Sequence, residues 1–397
     1  MTYYYSGYAY WLKGDKDAAN KLFKTAAEIP SDYCFPNRLD AILALEKAIE
    51  LNNDDAKAPY YLGCLYYDKR QYDLAIELWK RSAEIDETFP TVWRNLALAV
   101  FNKNNDATHA LEFMTKAFEL DSTDSRVLME LDQLRKRLRH SHTERLEFLN
   151  RYPELIAKRD DLILELATLL NMTGKYQEAI KVIDTHKFHP WEGGEGKVSA
   201  QYQFARVELA KIAIKENRYD EAISLLNECL IYPEHLGEGK LHGAQENDFL
   251  YLLGLAYKAL GDEHKASQRF EKATEGPEEP AAALYYNDAK PDKIFYAALA
   301  YRAIGNENKA RALFNKLINY GRNHIHDNVT LDYFAVSLPD LLIWEDDLQH
   351  RNLIHCNYLL ALGYAGLGDL KRAEKHISVA EADINHIGIK AFKSMEL

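Results

Sequence analysis

Apolar positions along the chain fall into helix-length runs, and the runs are punctuated by a recurring turn signal rather than by long polar stretches. The clearest unit reads Leu250-Tyr-Leu-Leu-Gly254-Leu-Ala-Tyr257-Lys-Ala-Leu-Gly261-Asp262 and continues through Ala266, Phe270, Ala273 and Pro277. A glycine in the left-handed conformation ends one helix, and an Asp or Asn directly after it caps the next. Gly261-Asp262 therefore predicts a tight helix-turn-helix. Small residues such as Gly254 and Ala266 let the two antiparallel helices approach, and Tyr257 and Phe270 are expected to fill the gap to the neighbouring pair.

The same frame recurs with Ala298, Tyr301, Gly305-Asn306, Ala310 and Phe314, and with Ala361, Tyr364, Gly368-Asp369, Ala373 and Ala380. Near the start it gives Gly7, Tyr10, Gly14-Asp15, Ala19, Phe23, Ala26 and Pro30, then Gly63, Tyr66, Ala75, Trp79 and Pro90. Degenerate copies centre on Trp93/Ala97/Ala110/Ala117, Ala167/Gly174/Tyr176/Ala179 and Ala210/Tyr219/Ala222. Second-helix alanines fall at 19, 75, 110, 179, 222, 266, 310 and 373, with steps of 56, 35, 69, 43, 44, 44 and 63. The 69 step implies an eroded pair around 125–150 (Leu128, Leu131, Leu134, Leu146, Leu149), and the 56 step leaves room for an extra helix from Pro36 to Leu51. One helix pair cannot bury its apolar faces alone, so the pairs must stack.

This motif resembles the tetratricopeptide repeat (TPR). The resemblance implies an all-α, right-handed superhelical solenoid of about nine helix pairs over 1–397. The expected parts are N-terminal repeats over 1–120, a degenerate pair over 121–160 and repeats with inserted loops of about ten residues over 161–320. An irregular insertion over 321–352 precedes a last repeat and C-terminal cap over 353–397.

Two of the inserted loops are related. Pro190-Trp191-Glu-Gly-Gly194-Glu-Gly-Lys197 matches Pro233-Glu-His-Leu-Gly237-Glu-Gly-Lys240 at an offset of 43. Gly-Glu-Gly-Lys lacks the spacing and the preceding strand of a phosphate-binding loop. The segments are either turns entering the next helix, with Glu and Lys solvated, or a recognition rim that includes Trp191, Lys197 and Lys240. The longest departure carries His324, His326 and Asp327, then Phe334, Leu338, Asp340, Trp344 and the Asp346-Asp347 pair. Its aromatic and acidic character makes Asp340 and Trp344 candidate contacts; the other reading is that the segment packs Phe334, Leu338 and Trp344 onto the array and exposes its acids. Alternating His324 and His326 are weak metal ligands. The run from Pro190 through Trp344 is also similar to the C-terminal repeat region of large bacterial proteins of uncharacterised function. In that family the array follows a β-rich, galactose-mutarotase-like domain, which implies a sugar-related setting.

In TPR arrays the first helices line the groove. The position pointing into it is Tyr4, Tyr60, Arg94, Leu164, Val207, Tyr251, Phe295 and Tyr358. Four residues later stand Tyr8, Cys64, Leu98, Thr168, Lys211, Leu255, Leu299 and Leu362, so the Lys/Asn clamp of relatives that grip a peptide carboxylate is missing. Tyr60, Arg94, Tyr251, Phe295 and Tyr358 are the candidate ligand contacts, with Lys57, Asp248 and Asp292 as polar neighbours. The rings either stack on a ligand or pack between successive first helices.

Composition narrows the function classes. Lys and Arg number 49 against 61 Asp and Glu, a net charge of −12, which disfavours nucleic-acid and anionic-membrane surfaces. The 26 tyrosines are mainly a repeat signature. Cys34, Cys64, Cys229 and Cys356 are too scattered for a zinc site and read as free thiols of a cytoplasmic protein, and neither a signal peptide nor a spanning segment is present. No nucleophile, metal or cofactor motif occurs. The expectation is a non-catalytic scaffold that binds a protein, a peptide or the N-terminal domain of its own longer chain. The alternative is an accessory region that binds carbohydrate. Met1 is followed at once by an apolar first helix with Tyr3, Tyr4, Tyr8, Tyr10 and Trp11, which predicts that the chain is cut from a longer protein.

Overall fold

The computed structural model describes residues 1–191, 193–284, 288, 290–330 and 343–395; among these, every regular element is helical. The chain divides into two contact units, Met1–Leu138 with Ile343–Glu345, and Arg139–Leu342 with Asp346–Leu397. The boundary falls inside the stretch predicted as degenerate.

The N-terminal unit contains α1 (Thr2–Leu12), α2 (Lys16–Glu28), α3 (Asp40–Leu51), α4 (Lys57–Asp68), α5 (Tyr72–Ile85), α6 (Pro90–Asn104), α7 (Ala107–Leu120) and α8 (Ser125–Arg137). Helix α3 is the extra helix that the 56 step left room for. The C-terminal unit opens with two short helices, α9 (His142–Leu149) and α10 (Pro153–Ile156). Five pairs follow: α11 (Asp160–Met172) with α12 (Tyr176–Asp184), α13 (Lys197–Lys215) with α14 (Tyr219–Cys229), α15 (Asn247–Ala259) with α16 (Glu263–Ala273), α17 (Pro291–Ala303) with α18 (Glu307–His324), and α19 (Leu348–Gly366) with α20 (Leu370–Ala380). A single helical turn spans Glu234–Leu236, and α21 (Ile387–Lys393) ends the described chain.

The turn chemistry produces the pairs. Gly261 adopts φ +81°, Asp262 N donates back to Tyr257 O, and the Asp262 side chain accepts from Lys265 N at 3.0 Å, closing α15 and capping α16 together. Asp15, Asn306 and Asp369 repeat the cap. Where the frame lacks glycine, Arg70, Asn105 and Asn217 occupy the left-handed region instead, which makes those turns more strained by roughly 1 kcal/mol each.

The eight second-helix alanines are buried, and so are Leu128, Leu131, Leu134, Leu146 and Leu149 of the eroded pair. Phe270 differs from expectation. It enters its own pair, where a Cβ on Gly254 would lie 2.4 Å from the ring; Phe23 against Gly7 and Trp79 against Gly63 do the same. Of the recurring tyrosines, Tyr257 and Tyr301 are half-buried and Tyr364 is buried; Lys265 lies over Tyr257, Lys309 over Tyr301 and Arg372 over Tyr364, at 5.3, 5.8 and 4.6 Å. In the C-terminal unit each first helix packs on the next, so α11, α13, α15, α17 and α19 form one continuous wall.

Candidate functional site: two occupied first-helix faces

On the N-terminal unit, α6 and α8 hold the segment Ile343–Glu345. Asn102, in the last turn of α6, donates from Nδ2 to Ile343 O at 2.9 Å and accepts at Oδ1 from Glu345 N at 2.9 Å. This paired bond reads the backbone on both sides of Trp344. The Trp344 indole is 2% exposed, packs edge-on against Phe101 at 5.2 Å and donates to Glu130 O at 2.9 Å. Lys103 pairs with the Glu345 carboxylate and lies over the Tyr72 ring. Arg94 forks onto the fully buried Glu130 carboxylate with Nε and Nη2 both at 2.5 Å, and Arg126 adds a third bond at 2.9 Å. Arg94 thus positions the backbone that receives Trp344. As placed, Trp344 packs onto the helices, the second of the two readings of its segment, and offers no face to a ligand.

The other predicted contacts of this unit are internal. Tyr4 is 1% exposed and donates to Asp55 Oδ2 at 2.9 Å, and burial beside that carboxylate pushes its phenol far up. Tyr60 is buried against Phe89 and Tyr61. Lys57 donates to Ile29 O, and Tyr8 stacks on Trp11.

On the C-terminal unit the wall of first helices carries α21. Lys211 of α13 donates to Ala391 O at 2.9 Å, Ser394 Oγ at 3.0 Å and Glu208 Oε1 at 2.7 Å. A cation bonded to a last-turn carbonyl is the favoured partner of a helix carboxyl end. Lys390 reaches Met172 O of α11 at 3.0 Å. The Phe392 ring meets Phe295 of α17 at 6.3 Å, and Gly388 lies so close to Tyr358 of α19 that a Cβ there would be 2.7 Å from the phenol oxygen. Tyr296 donates to Met395 Sδ, and His386 packs on Tyr358 at 4.7 Å.

Two of the predicted groove aromatics are therefore covered, Phe295 at 0% exposure and Tyr358 at 6%, while Tyr251 is partly exposed beside Phe270 and Tyr296. Leu164 and Val207 are buried. As placed, Phe295 offers no face to a ligand. Burial, and then the nearby Asp292 charge, push the Tyr358 phenol well up. Asp248 and Asp292 do line this face, at a cavity of about 130 Å³ beneath α21.

Residues 248–275 and 294–320 match tetratricopeptide repeat models. Solved TPR-type structures are similar at low identity. YrrB, described as a TPR protein with an unusual peptide-binding site, is 16% identical over 58% of this chain and 90% of its own, with a TM-score of 0.32. A tetratricopeptide repeat protein from Parabacteroides merdae is 15% identical over 76% of this chain and 99% of its own, at 0.33. Naa15/Naa10 bound to HypK-THB matches at 12% over 94% and 65%, at 0.42. The chain has the build of a TPR-type interaction scaffold, and no described helix is long and apolar enough to cross a membrane.

The two inserted loops of the TPR array pack on each other. Phe188 N donates to His235 O, and Glu238 of the second loop accepts from Gly196 N at 2.8 Å and Ser199 N at 2.9 Å at the start of α13. The expectation of a solvated Glu is corrected here, because this carboxylate fills the anion-favouring end of the helix. Trp191 packs on Gly194 at the edge of a cavity of about 280 Å³ between the loops. Lys197 is exposed as the first residue of α13, and Lys240 bonds Leu230 O and pairs with Glu246. Neither lysine converges with the aromatics.

His324 pairs with Asp327 at 2.6 Å, and no three His, Cys, Asp or Glu side chains among the described residues are placed to hold a metal. Asp347 caps α19, accepting from His350 N. Cys34, Cys64, Cys229 and Cys356 are free thiols. Phe334, Leu338 and Asp340 lie outside the described residues. Sequence reasoning missed Asn102 and Glu208, and it noted Lys211 only as a departure from a known clamp.

Proposed function

We propose that this chain is a non-catalytic scaffold whose first-helix faces hold peptide segments of a protein partner, or of the N-terminal domain of a longer chain. The observation that carries the reading is the Asn102 pair bond: one amide side chain satisfies the C=O and N–H flanking Trp344, whose indole is buried beyond it. A backbone-directed amide beside a deep aromatic socket supports recognition of a short non-helical segment by register, with side-chain choice set by the socket. Tyr60, Phe295 and Tyr358 are buried as placed, which leaves Tyr251 as the partly exposed ring of the predicted groove set and gives the carbohydrate alternative less support.

The test uses the full chain carrying Trp344→Ala, which empties the socket. A fluorescent peptide of residues 340–348 should then bind, and adding Asn102→Ala should weaken it by about tenfold, as the loss of one to two hydrogen bonds predicts. No peptide binding together with saturable oligosaccharide binding would replace this reading with the carbohydrate one.

A further inference from the structure

Helix α21 contacts four first helices of the C-terminal unit: wall side chains of α13, α17 and α19 meet it, and its own Lys390 reaches a carbonyl of α11. A chain end stacked as one more repeat would instead extend the row of helices. This one lies across the row, where an in-trans peptide would lie in a TPR groove.

The fit is incomplete in a specific way. Beneath α21 a cavity of about 130 Å³ remains, bordered by Val207, Asp248, Lys293, Tyr296, Ile387 and Phe392. Asp248 is 9% exposed; its Oδ2 takes Lys293 Nζ at 2.5 Å, but its Oδ1 has no hydrogen-bond partner. A buried carboxylate oxygen without a donor is destabilising, and an unfilled space beside aromatic walls forfeits dispersion contacts. An occupant that filled the space and supplied one donor would recover both. Asp292 adds a second carboxylate to the lining, Lys290 borders it as well, and Lys211 and Lys293 are already bonded.

We infer that α21 is a displaceable cis-occupant of this groove, held in the place of an amphipathic helical segment from a partner protein. That segment presents apolar residues to Phe295, Tyr296 and Tyr358, its carboxyl end to Lys211, and one basic side chain to Asp248. The inference rests on the scaffold reading and adds that the C-terminal groove is closed until α21 leaves. Its groove contacts come from residues 386–395, which follow the last helix pair, and Ile389 joins the buried cluster that holds Phe295, Leu359 and Ile377.

The experiment compares the wild-type full chain with Gly388→Leu. The added side chain collides with Tyr358 Oη and expels α21 while every wall residue stays native. The probes are labelled peptides of residues 384–397, native and with Ala391→Lys; Ala391 borders the cavity. The native peptide should bind the variant at least about tenfold tighter than it binds wild type, because apparent affinity scales with the fraction of open groove, and the lysine peptide should bind tighter again. Equal affinity for both chains, or no gain from the lysine, overturns the inference.

Should Gly388→Leu fail to fold, hydrogen exchange on wild type decides. Excess lysine peptide must speed exchange at residues 387–393 while α17 and α19 stay protected. Exchange of α21 only on global unfolding overturns the inference. A chain that binds partner peptide at Asn102 with α21 fully protected sinks the latch alone; one that releases α21 yet binds no peptide at either face sinks the scaffold reading.

Discussion

The N-terminal unit grips a bent tripeptide by its backbone, whereas the C-terminal unit holds a helix by one face and its carboxyl end. Both use first helices, yet the chemistry differs because the guests differ. A segment outside helix and strand leaves backbone N–H and C=O groups without regular partners, and Asn102 supplies one of each. A helix satisfies its backbone internally except at its ends, and Lys211 takes a last-turn carbonyl of α21. The depth of burial differs as well. Trp344 sits in a filled socket, while α21 leaves a cavity and an unsatisfied carboxylate oxygen. One contact is a packed element of its unit, and the other has the imperfection expected of an exchangeable one.

The largest expected effect separates the two units. Trp344→Ala should cost about 3–5 kcal/mol in the N-terminal unit, the usual range for removing a buried Trp, and should lower amide protection in α6 and α8 but not in α13 or α17. Equal loss in both units by native-state hydrogen exchange would dissolve the distinction. Next comes Lys211→Met, which strands Glu208 at 2% exposure and removes the bond to Ala391. Breaking a buried pair from one side costs about 3 kcal/mol, and the double variant with Glu208→Leu should recover most of it. Chemical denaturation measures the stability, and exchange at 387–393 reports whether α21 stays released in the double variant, as the latch requires. Asn102→Leu is smaller, about 1–2 kcal/mol, because water can reach the half-exposed backbone it abandons. Its signature is a rise in Trp344 solvent accessibility by fluorescence quenching, without change at α21.

The helix pairs were legible because each is specified locally. Gly261-Asp262 ends one helix and caps the next within two residues, and Gly254 marks where a large ring must enter. Phe270 was assigned to the wrong gap, since spacing reports that a ring fills a space but not which side of the helix pair the space lies on. The candidate faces were half legible. Position in the repeat brought Phe295, Tyr358, Asp248 and Asp292 to one wall, but nothing local tells that residues 386–395 return to cover it. The apolar spacing of Ile387, Ile389 and Phe392 beside Lys390 and Lys393 was the available signal, and it reads the same in an ordinary capping helix. Asn102 left no signal at all, because an Asn in a last helical turn is common and its guest lies more than 200 residues away in the chain.

The smallest effect is on pH, and it falls on one unit only. His386 caps α21, its Nδ1 accepting from Ile389 N at 3.2 Å, a role open only to the neutral ring. Desolvation is the main cause that pushes its pKa below 6.5; the Arg351 charge adds to this, while Asp383 and Asp292 oppose it, and His355, itself pushed down by burial and by His386, stands nearby. The docked state therefore binds fewer protons than the released one. Docking is at full strength above about pH 6.5, where the free ring is neutral, and weakens as pH falls from there toward the lowered docked value. One proton bounds the slope at about tenfold per pH unit. Exchange at 387–393, corrected for its intrinsic pH dependence, should accelerate between about pH 6.5 and 5 while the Asn102 contact to residues 343–345 holds steady, since no histidine takes part in that contact. His386→Gln, which keeps a neutral acceptor, should flatten the profile; a pH response that survives in that variant would move the switch to His355.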